Sequence, residues 1–470
     1  MNKFKMLAAG FLMTAAGANA QNAYDALNLA KTDPIMGTAR YSAMGGALGA
    51  LGADATVLKD NPAGLGVYRS CDLTLTPNVY VTDDKSVGFN INNFAFVLNF
   101  GKSGHKKGYV TSSLGVSYNR LRNFKRYYTF RENGWNHSMT EDFFNLATDE
   151  VFGAGKDLGL IDAQEENGKD VSATSQFRLK DEYVDRRIKF KEDGALDEWN
   201  ISYGMNISNR FYWGVGVGFV NIDYTQTSSY DEYGLNGQGD WYKDEYYEAK
   251  GTGFNFKFGA IGRLTDFMRV GVAFHTPTFY NVDQYTNTNM DYNNQSYNTE
   301  IDWSETEYDL QTPLKLQGSL GFIIGKRALV GLEYQYEDYG AMRLSDGSFD
   351  FEEEKDIINE YMKKTHTFKV GTEVAIVNGF SGRLGFAYVT KPVDEALSNV
   401  YNTTYSVALP REAMYYTGGL GYKGKSFYAD FALVFKNQKE YFFDYLPIAE
   451  PISKESLFST NIMATVGWRF

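Results

Sequence analysis

The chain has 470 residues and a formal net charge of −12, from 46 basic and 58 acidic side chains. This acidic balance argues against nucleic-acid binding, which needs a basic surface, and the single cysteine, Cys71, excludes both an intrachain disulfide framework and a zinc site built on cysteines. Aromatic residues make up 16% of the chain and glycine accounts for 47 residues, an excess that favours one large β-barrel over two or three soluble domains.

The first twenty residues have the pattern of a secretory signal peptide. Lys3 and Lys5 precede the apolar run 6–16, and the small residues of 18–20 form a cleavage signal. We therefore predict a signal peptide over 1–20 and a mature chain that starts at Gln21, which is not a lipoprotein site because it is not cysteine. The alternative is a buried N-terminal helix.

Residues 21–71 do not have the pattern of a membrane strand. The run 41–52 is rich in glycine and alanine, and Pro62 and the glycines around it predict a turn within 60–66. The segment is also apolar and low in charge, unlike a disordered tail. We expect it to be a plug inside a barrel, and a loose periplasmic tail is the alternative.

The remainder, 72–470, alternates in polarity. In the run 199–208 every odd position is large and apolar, whereas every even position is small or polar. A strand sends alternate side chains to opposite faces, so one face suits lipid and the other a lumen. After residue 20 no stretch approaches the ~20 apolar residues of a spanning helix, which leaves a closed barrel as the way to cross a bilayer.

Fourteen segments with this alternation can be placed along the chain, and the short and long connections between them alternate from the second connection onward. Outer-membrane barrels have an even strand number, short periplasmic turns and long outside loops, so both chain ends are expected in the periplasm. The short first loop, 83–86, breaks the alternation. The predicted strands are 72–82, 87–100, 108–130, 197–208, 212–226, 250–263, 268–280, 311–324, 328–342, 364–377, 381–392, 412–422, 426–440 and 457–470.

Two short motifs in the predicted plug resemble a known family. The runs 39–47 and 61–65, the latter with Asn61, Pro62, Ala63 and Gly64, are similar to the N-terminal hatch of the FadL/OmpP1/TodX transporters of hydrophobic compounds. The resemblance is specific over about 22–70. It implies a fourteen-stranded barrel plugged by a hatch, in which these four residues act as a movable stopper and not as catalytic groups.

The family also implies a route for the substrate. Members bind a hydrophobic molecule outside, pass it to a site in the lumen and release it sideways through a gap beside a kinked third strand. Here the third predicted strand loses its alternation at 119–123, so Asn119, Arg120 and Asn123 are candidates for that gap. The alternative is a strand that simply continues past the membrane into its outside loop.

The long loop 131–196 contains a short predicted helix that begins near Glu141 and runs toward Ile161. Its residues Phe143, Phe144 and Leu146 would either line a groove that captures the ligand or attach the loop to the barrel rim.

The sequence patterns of phosphate-binding and metal-binding sites have little support in this chain. The run 419–426 matches the phosphate-binding G-x4-G-K-[ST] pattern, but both flanks alternate with period two, which predicts a hairpin turn and not a strand followed by a helix. The four histidines have no metal-type spacing, although His275 and His366 would have to be considered as a clamp if the protein were a haemin receptor.

We therefore expect an all-β, monomeric outer-membrane barrel with no enzymatic activity, cofactor or metal. It would admit hydrophobic small molecules such as long-chain fatty acids by diffusion, gated by the hatch, in contact with membrane lipid and lipopolysaccharide. The alternatives are a haemin receptor and a surface receptor or adhesin that does not transport. An apolar lumen above the hatch would favour transport, and a charged lumen would favour the receptor.

Overall fold

A computed structural model describes residues 23–101, 107–146, 149–166, 168–177, 183–234, 239–292, 295–301, 307–325, 327–346, 351–377, 379–399, 407–443 and 453–470. The predicted signal peptide lies outside these residues and stays a prediction.

Fourteen antiparallel strands form a closed barrel, in which each strand pairs with the next and the first pairs with the last. The expected fold class and strand number are thereby confirmed. The barrel strands are β1 (Asp72–Val81), β2 (Val87–Gly101), β3 (Tyr109–Asn123), β7 (Val184–Ile207), β8 (Phe211–Gly234), β9 (Asp240–Arg263), β10 (Met268–His275), β14 (Lys315–Ile324), β15 (Ala328–Asp338), β17 (Lys364–Val377), β18 (Phe380–Val389), β19 (Val407–Lys423), β20 (Phe427–Phe443) and β21 (Ser453–Arg469).

Seven further strands belong to the long connections at the outer end. Five extend the barrel rim, and β5 and β6 form a separate hairpin. They are β4 (Arg126–Trp135), β5 (Ile161–Glu166), β6 (Lys169–Ser175), β11 (Phe279–Tyr292), β12 (Gln295–Ile301), β13 (Glu307–Gln311) and β16 (Arg343–Ser345).

The outer face of the barrel is apolar, as the alternation predicts. Phe254, Phe256 and Phe258 of β9 are each more than 40% exposed, whereas Lys257 between them is 3% exposed and faces the lumen. The same pattern recurs on β1, β17, β20 and β21. A closed barrel with a band of exposed apolar side chains is the architecture of a transmembrane β-barrel.

Within the described ranges, every helix is too short or too polar to traverse a bilayer.

The N-terminal segment 23–71, here called the hatch, fills the lumen. It contains helices α1 (Ala23–Ala30) and α2 (Ala39–Ala43) and two 3₁₀ helices, Ala55–Leu58 and Pro62–Val67. Nearly all of its residues are buried, and the segment ends where Cys71 leads into β1. A plug inside the barrel is therefore observed, and a loose tail is excluded.

The outer loops hold the other helices. A 3₁₀ turn, Met139–Asp142, leads into α3 (Phe143–Leu146) and α4 (Asp149–Asp157), so the helix expected from Glu141 to Ile161 is present in broken form. Helix α5 (Glu352–Tyr361) precedes β17. Two short 3₁₀ helices, Tyr339–Ala341 and Glu395–Asn399, complete the outer end.

Glycines on the inner wall let the hatch backbone lie directly against the strands. A Cβ added at Gly331 would lie 1.9 Å from the carbonyl oxygen of Ala47, and one added at Gly371 would lie 2.1 Å from that of Met44. Such close approach of two backbones is possible only without a side chain. This explains part of the glycine excess. We call the set the glycine belt, and it comprises Gly204, Gly214, Gly259, Gly331, Gly371 and Gly385.

We predict that Gly331→Ala displaces the hatch, because the new methyl group has no space beside Ala47. The variant should lose about 1–3 kcal/mol of unfolding free energy, as overpacked interiors do, and its hatch should become protease-sensitive. Urea unfolding of the protein in lipid vesicles measures the first effect.

The matched control is Gly318→Ala on the neighbouring strand, where an added Cβ meets nothing within 4 Å. It should change stability by less than about 0.5 kcal/mol. Equal losses in the two variants would contradict a specific role for the belt.

Candidate functional site

The Asn61-Pro62-Ala63 motif connects separate parts of the hatch. Asn61 caps the 3₁₀ helix that follows it by accepting from the backbone N–H of Ala63 (3.2 Å), and its Nδ2 donates to the carbonyl of Gly49 (2.9 Å). Proline suits the first position of such a turn because it has no N–H to satisfy. One amide side chain thus ties together two separate parts of the hatch.

This motif packs against strands β7, β8 and β9 of the wall. Cβ atoms added at Gly214 and Gly259 would lie 2.3 Å from the Pro62 carbonyl carbon and 2.0 Å from Asn61 Oδ1. Ala63 and Gly64 are fully or nearly fully buried. The four motif residues are therefore packed against strands and do not face an open cavity.

Ion pairs hold the hatch on the opposite side of the lumen. Arg40 of α2 pairs with Glu373 of β17 at 2.8 Å. Glu333 of β15 accepts from the backbone N–H of Gly49 (3.0 Å) and from Lys369 (2.9 Å). These wall carboxylates are engaged by the hatch and are not free to bind a ligand.

Asp60 occupies the centre of a further network. Its carboxylate accepts from Gln317 (3.0 Å) and Tyr41 (3.1 Å), and its carbonyl oxygen lies 2.7 Å from Nε2 of His275. Burial alone would raise the pKa of Asp60, but Lys369 and other nearby cations hold it below its usual range. The group stays ionised and keeps the hatch attached at ordinary pH.

Alternation could not decide which polar residues of the wall face the lumen. The structure places six of them inside, where they engage the hatch or other side chains of the wall, as when Lys257 pairs with Glu198 at 2.6 Å. The lumen at the level of the hatch is thus charged and internally neutralised. The six residues are Lys257, Glu333, Gln335, Lys369, Glu373 and Asp430.

Above this level the hatch contributes to a buried apolar cluster. Helix α1 packs its Ala26, Leu27 and Leu29 into a buried cluster formed by the upper strands and the outer loops. Ile358 of α5 belongs to the same cluster, so an extracellular helix lies over the hatch. The hatch therefore spans the lumen from the charged level up to the outer loops.

The barrel wall is interrupted beside its first hairpin. The β2–β3 ladder stops at Asn93 and Asn119, so no ladder joins 87–92 to β3. The hairpin turn 82–86 does not extend as far toward the outer end as the neighbouring strand β21. That strand begins at Ser453 and so continues beyond its last pair with β1. Strand β4 pairs with β7 and, among the described residues, with no strand on its other side. The wall thus has a notch over the first hairpin.

A kink in β3 borders this notch. The β3–β7 register shifts between Arg120 and Arg122, which makes Leu121 the extra residue of a bulge. The Leu121 carbonyl accepts from the backbone N–H of Asp33 in the hatch (2.9 Å), and Arg122 donates to Asn28 Oδ1 (2.8 Å). The irregular part of the strand is therefore attached directly to the hatch.

The three residues predicted for the gap lie around this bulge. Asn119 is fully buried and accepts from Asn93 (2.7 Å), at the last pair of the ladder. Arg120 pairs with Asp197 at 2.8 Å. Asn123 accepts from Asn90 of β2 (2.9 Å), which is a side-chain bridge where the backbone ladder is missing. Leu121, the bulged residue, was missed because it resembles an ordinary apolar strand position.

A cavity of about 120 Å³ passes through the notch, and we call it the wall window. Inside it reaches Ile35 and Met36 of the hatch, and outside it reaches Tyr127 and Phe458, which are more than 40% exposed. The cavity thus connects the hatch to the lipid-facing surface.

Side chains close the window from above. Arg126 pairs with Glu440, Tyr128 donates to Glu440 (2.8 Å), and the rings of Phe130 and Phe442 stack at 4.8 Å. These contacts join β4 to β20 across the notch. In the described part of the chain this upper edge is formed by side-chain contacts and not by a backbone ladder.

The window offers two kinds of surface to a ligand. One is an apolar patch made by Ile35, Met36 and Val434. The other is charged and includes the ion pair between Asp33 and Lys436 at 2.7 Å. The charged side chains that line the window are Asp33, Asp83, Asp84, Arg122, Lys125, Arg126, Glu192, Lys436 and Glu440.

The three residues proposed for a ligand-capturing loop separate in the structure. Phe143 is fully buried against Trp241 of β9, which places it where the loop attaches to the rim. Phe144 is 38% exposed and packs edge-on against Phe152. The side chain of Leu146 lies outside the described residues.

The histidines do not form a clamp. His275 faces the lumen, whereas His366 contacts Tyr334 on the outer face of the wall, so the barrel wall separates them. Among the described residues no group of three or more histidine, cysteine or acidic side chains is arranged to hold a metal ion. The phosphate-loop pattern 419–426 lies on β19 and its hairpin turn, as expected.

We predict that Asn61→Ala loosens the hatch. The substitution removes a cap worth about 1 kcal/mol and leaves the Gly49 carbonyl without its donor, so ion conductance of the protein in planar bilayers should rise. Asn221→Ala, on the exposed face of β8, is the matched control and should conduct like the wild type. Unchanged conductance in Asn61→Ala would refute the anchoring role.

We also predict that α1 is held more tightly at pH 5 than at pH 8. Burial beside Glu192 raises the pKa of Asp25 from 3.8 to about 7. Because the folded state favours the protonated acid, this stabilisation is fully present below pH 3.8 and is lost as the pH rises through about 7.

Hydrogen exchange of the α1 amides, corrected for intrinsic rates, should therefore be several-fold slower at pH 5, and Asp25→Asn should remove most of the difference. The same pH dependence in Asp25→Asn would show that another group is responsible.

Neither the comparison with family models nor the comparison with curated proteins finds a match for this chain. Solved structures do match over almost the whole chain. The toluene transporter TbuX of Ralstonia pickettii has 15% sequence identity and a TM-score of 0.53, covering 94% of this chain and 100% of that one. The toluene transporter TodX of Pseudomonas putida has 12% identity and a TM-score of 0.53, covering 93% and 99%.

A FadL homologue of Pseudomonas aeruginosa is similar at 11% identity and a TM-score of 0.53, covering 94% of this chain and 99% of that one. At such identities the likeness concerns the fold. The resemblance seen in the hatch motif is thus matched by a shared architecture. With its closed barrel and apolar outer face, the chain is a bacterial outer-membrane protein with the fold of the FadL/OmpP1/TodX transporters.

Proposed function

We propose that the protein is an outer-membrane channel for the diffusive uptake of hydrophobic small molecules, with long-chain fatty acids as candidate substrates. The observation that carries the proposal is the wall window, because it joins the lumen to the lipid-facing surface at a place where no backbone ladder closes the wall. The fold shared with the toluene transporters TbuX and TodX agrees with it.

The proposed route follows from the positions of the hatch and of the wall window. The hatch and the ion pairs at its level would close the lumen toward the periplasm, so a molecule that enters from outside would meet charge below and, at the side, the wall window with its apolar patch of Ile35, Met36 and Val434. An apolar solute gains free energy by leaving the lumen sideways into the hydrocarbon layer, and this step needs no ATP.

The hatch would control the window through β3. The Asp33 backbone and Asn28 bind the bulged part of β3, and Asp33 also pairs with Lys436 of β20 on the far side of the window. Movement of this part of the hatch would therefore alter both borders of the window together. In this role the Asn61-Pro62-Ala63 anchor keeps the rest of the hatch fixed.

The alternative is a surface receptor that does not transport, and one observation favours it. The lumen at the level of the hatch is charged, which was the pattern expected for a receptor. A haemin receptor has less support, because His275 and His366 lie on opposite faces of the wall. The uptake experiment separates transport from both alternatives.

We predict that Ser459→Trp slows uptake by filling the window. Ser459 is a small, half-buried residue that lines the cavity, so an indole there occupies the passage. Uptake of a fluorescent long-chain fatty acid into liposomes that contain the protein should fall at least fivefold relative to wild type.

Ser456→Trp is the matched control, because Ser456 lies on the same strand, is exposed and does not line the cavity. It should transport like the wild type. Wild-type uptake no faster than that of empty liposomes, with the barrel folded, would argue for the receptor. Normal uptake in Ser459→Trp with faster uptake in Asn61→Ala would place the route through the hatch instead.

A further inference from the structure

A second cavity, of about 420 Å³, lies at the short-turn end of the barrel beneath the hatch, and we call it the mouth cavity. Leu51 and Tyr68 of the hatch form one side of it, and the ends of several strands form the other. It shares no lining residue with the wall window. By the usual orientation of such barrels it faces the periplasm.

The mouth cavity is basic although the whole chain is acidic, with a net charge of −12. Three carboxylates line it, namely Asp54, Glu373 and Asp430. The six cations that line it outnumber them two to one, and these are Arg40, Arg69, Arg269, Arg383, Lys423 and Arg469. An excess of this kind attracts anions from the periplasm.

The carboxylates of the mouth cavity are already engaged. Glu373 and Asp430 both accept from Arg383, at 2.7 and 2.6 Å. Asp54 accepts from the hydroxyl of Thr38 at 2.9 Å and caps a 3₁₀ helix of the hatch. They therefore neutralise little of the remaining positive charge.

Arg469 pairs with Asp72 at 3.5 Å, whereas Arg69, Arg269 and Lys423 have no carboxylate partner in the described part of the chain. Arg269 donates to the Leu51 carbonyl (2.7 Å), but its buried Nε has no hydrogen-bond acceptor. Arg69 donates to backbone carbonyls and to Asn209 (2.8 Å), and it lines the same cavity as Arg269. Two like charges held beside one cavity favour a bound anion between them.

A second feature of the cavity also points to a ligand. Tyr68 is 4% exposed and lines the cavity, yet its hydroxyl has no hydrogen-bond partner among the described residues. A buried hydroxyl without a partner costs free energy, which a ligand acceptor would recover. Leu51, Ile323 and Leu329 pack together at the same cavity and give it an apolar surface.

We infer that the mouth cavity binds an amphipathic organic anion from the periplasmic side. The acidic head group lies near Arg69 and Arg269 and accepts from the Tyr68 hydroxyl, and the apolar body packs on the leucine and isoleucine side chains. The cavity volume is in the range of small-molecule sites. This site is separate from the wall window and does not depend on uptake through it.

Octanoate tests this inference by calorimetric titration of the purified full-length protein in a non-ionic detergent, with octan-1-ol and inorganic phosphate as comparison ligands. Octanoate should bind more tightly than either. Arg269→Gln should weaken its binding about tenfold, and Tyr68→Phe about threefold, as the loss of charged and neutral hydrogen bonds predicts.

Tyr68→Phe is expected to fold, because the hydroxyl that it removes has no hydrogen-bond partner among the residues that the structure describes. Lys425→Gln is the charge-matched control, since Lys425 lies exposed in the turn before β20 and does not line the cavity. It should bind octanoate like the wild type.

Equal affinity for octanol, equal affinity for phosphate, or equal binding by Arg269→Gln and Lys425→Gln would each overturn the inference. The titration involves no transport. Loss of uptake in Ser459→Trp with octanoate binding intact would therefore confirm the two sites as independent.

Discussion

The structure depends on the close contact between the hatch backbone and the glycine belt of the wall. Peptide groups lie against peptide groups at Gly331 and Gly371, with no side chain between them. The hatch can therefore fill the lumen of a fourteen-stranded barrel without a thick layer of side chains. Ion pairs such as Arg40–Glu373 then fix its position.

Two local irregularities create the wall window. A short first hairpin lowers the wall, and a bulge at Leu121 turns β3 away from β2 and toward the hatch. Neither alone would open the barrel, because strands above a low hairpin could still pair, and a bulge alone only bends a strand. Together they replace backbone hydrogen bonds by side-chain contacts, which can be broken individually.

Strand number, strand positions and the buried N-terminal segment could be predicted from sequence, because alternation with period two and an excess of small residues are local patterns. The short loop 83–86 and the broken alternation at 119–123 were visible too, but only as exceptions. What could not be predicted was that they adjoin in space, since that depends on barrel closure. The contacts that the side chains of Glu333 and Lys369 make in the lumen likewise depend on the hatch, and the alternation of the strands gives no information about the hatch.

The ladder between β1 and β21 spans Asp72–Val81, and it is both the closing seam of the barrel and one neighbour of the wall window. This pairing joins the first and last strands of the barrel and closes its wall. The hatch, which precedes β1 in the chain, lies inside that closed wall. The closing seam therefore borders the stretch of wall where side-chain contacts replace a backbone ladder, so a substitution that disturbs the seam would also act on the wall window.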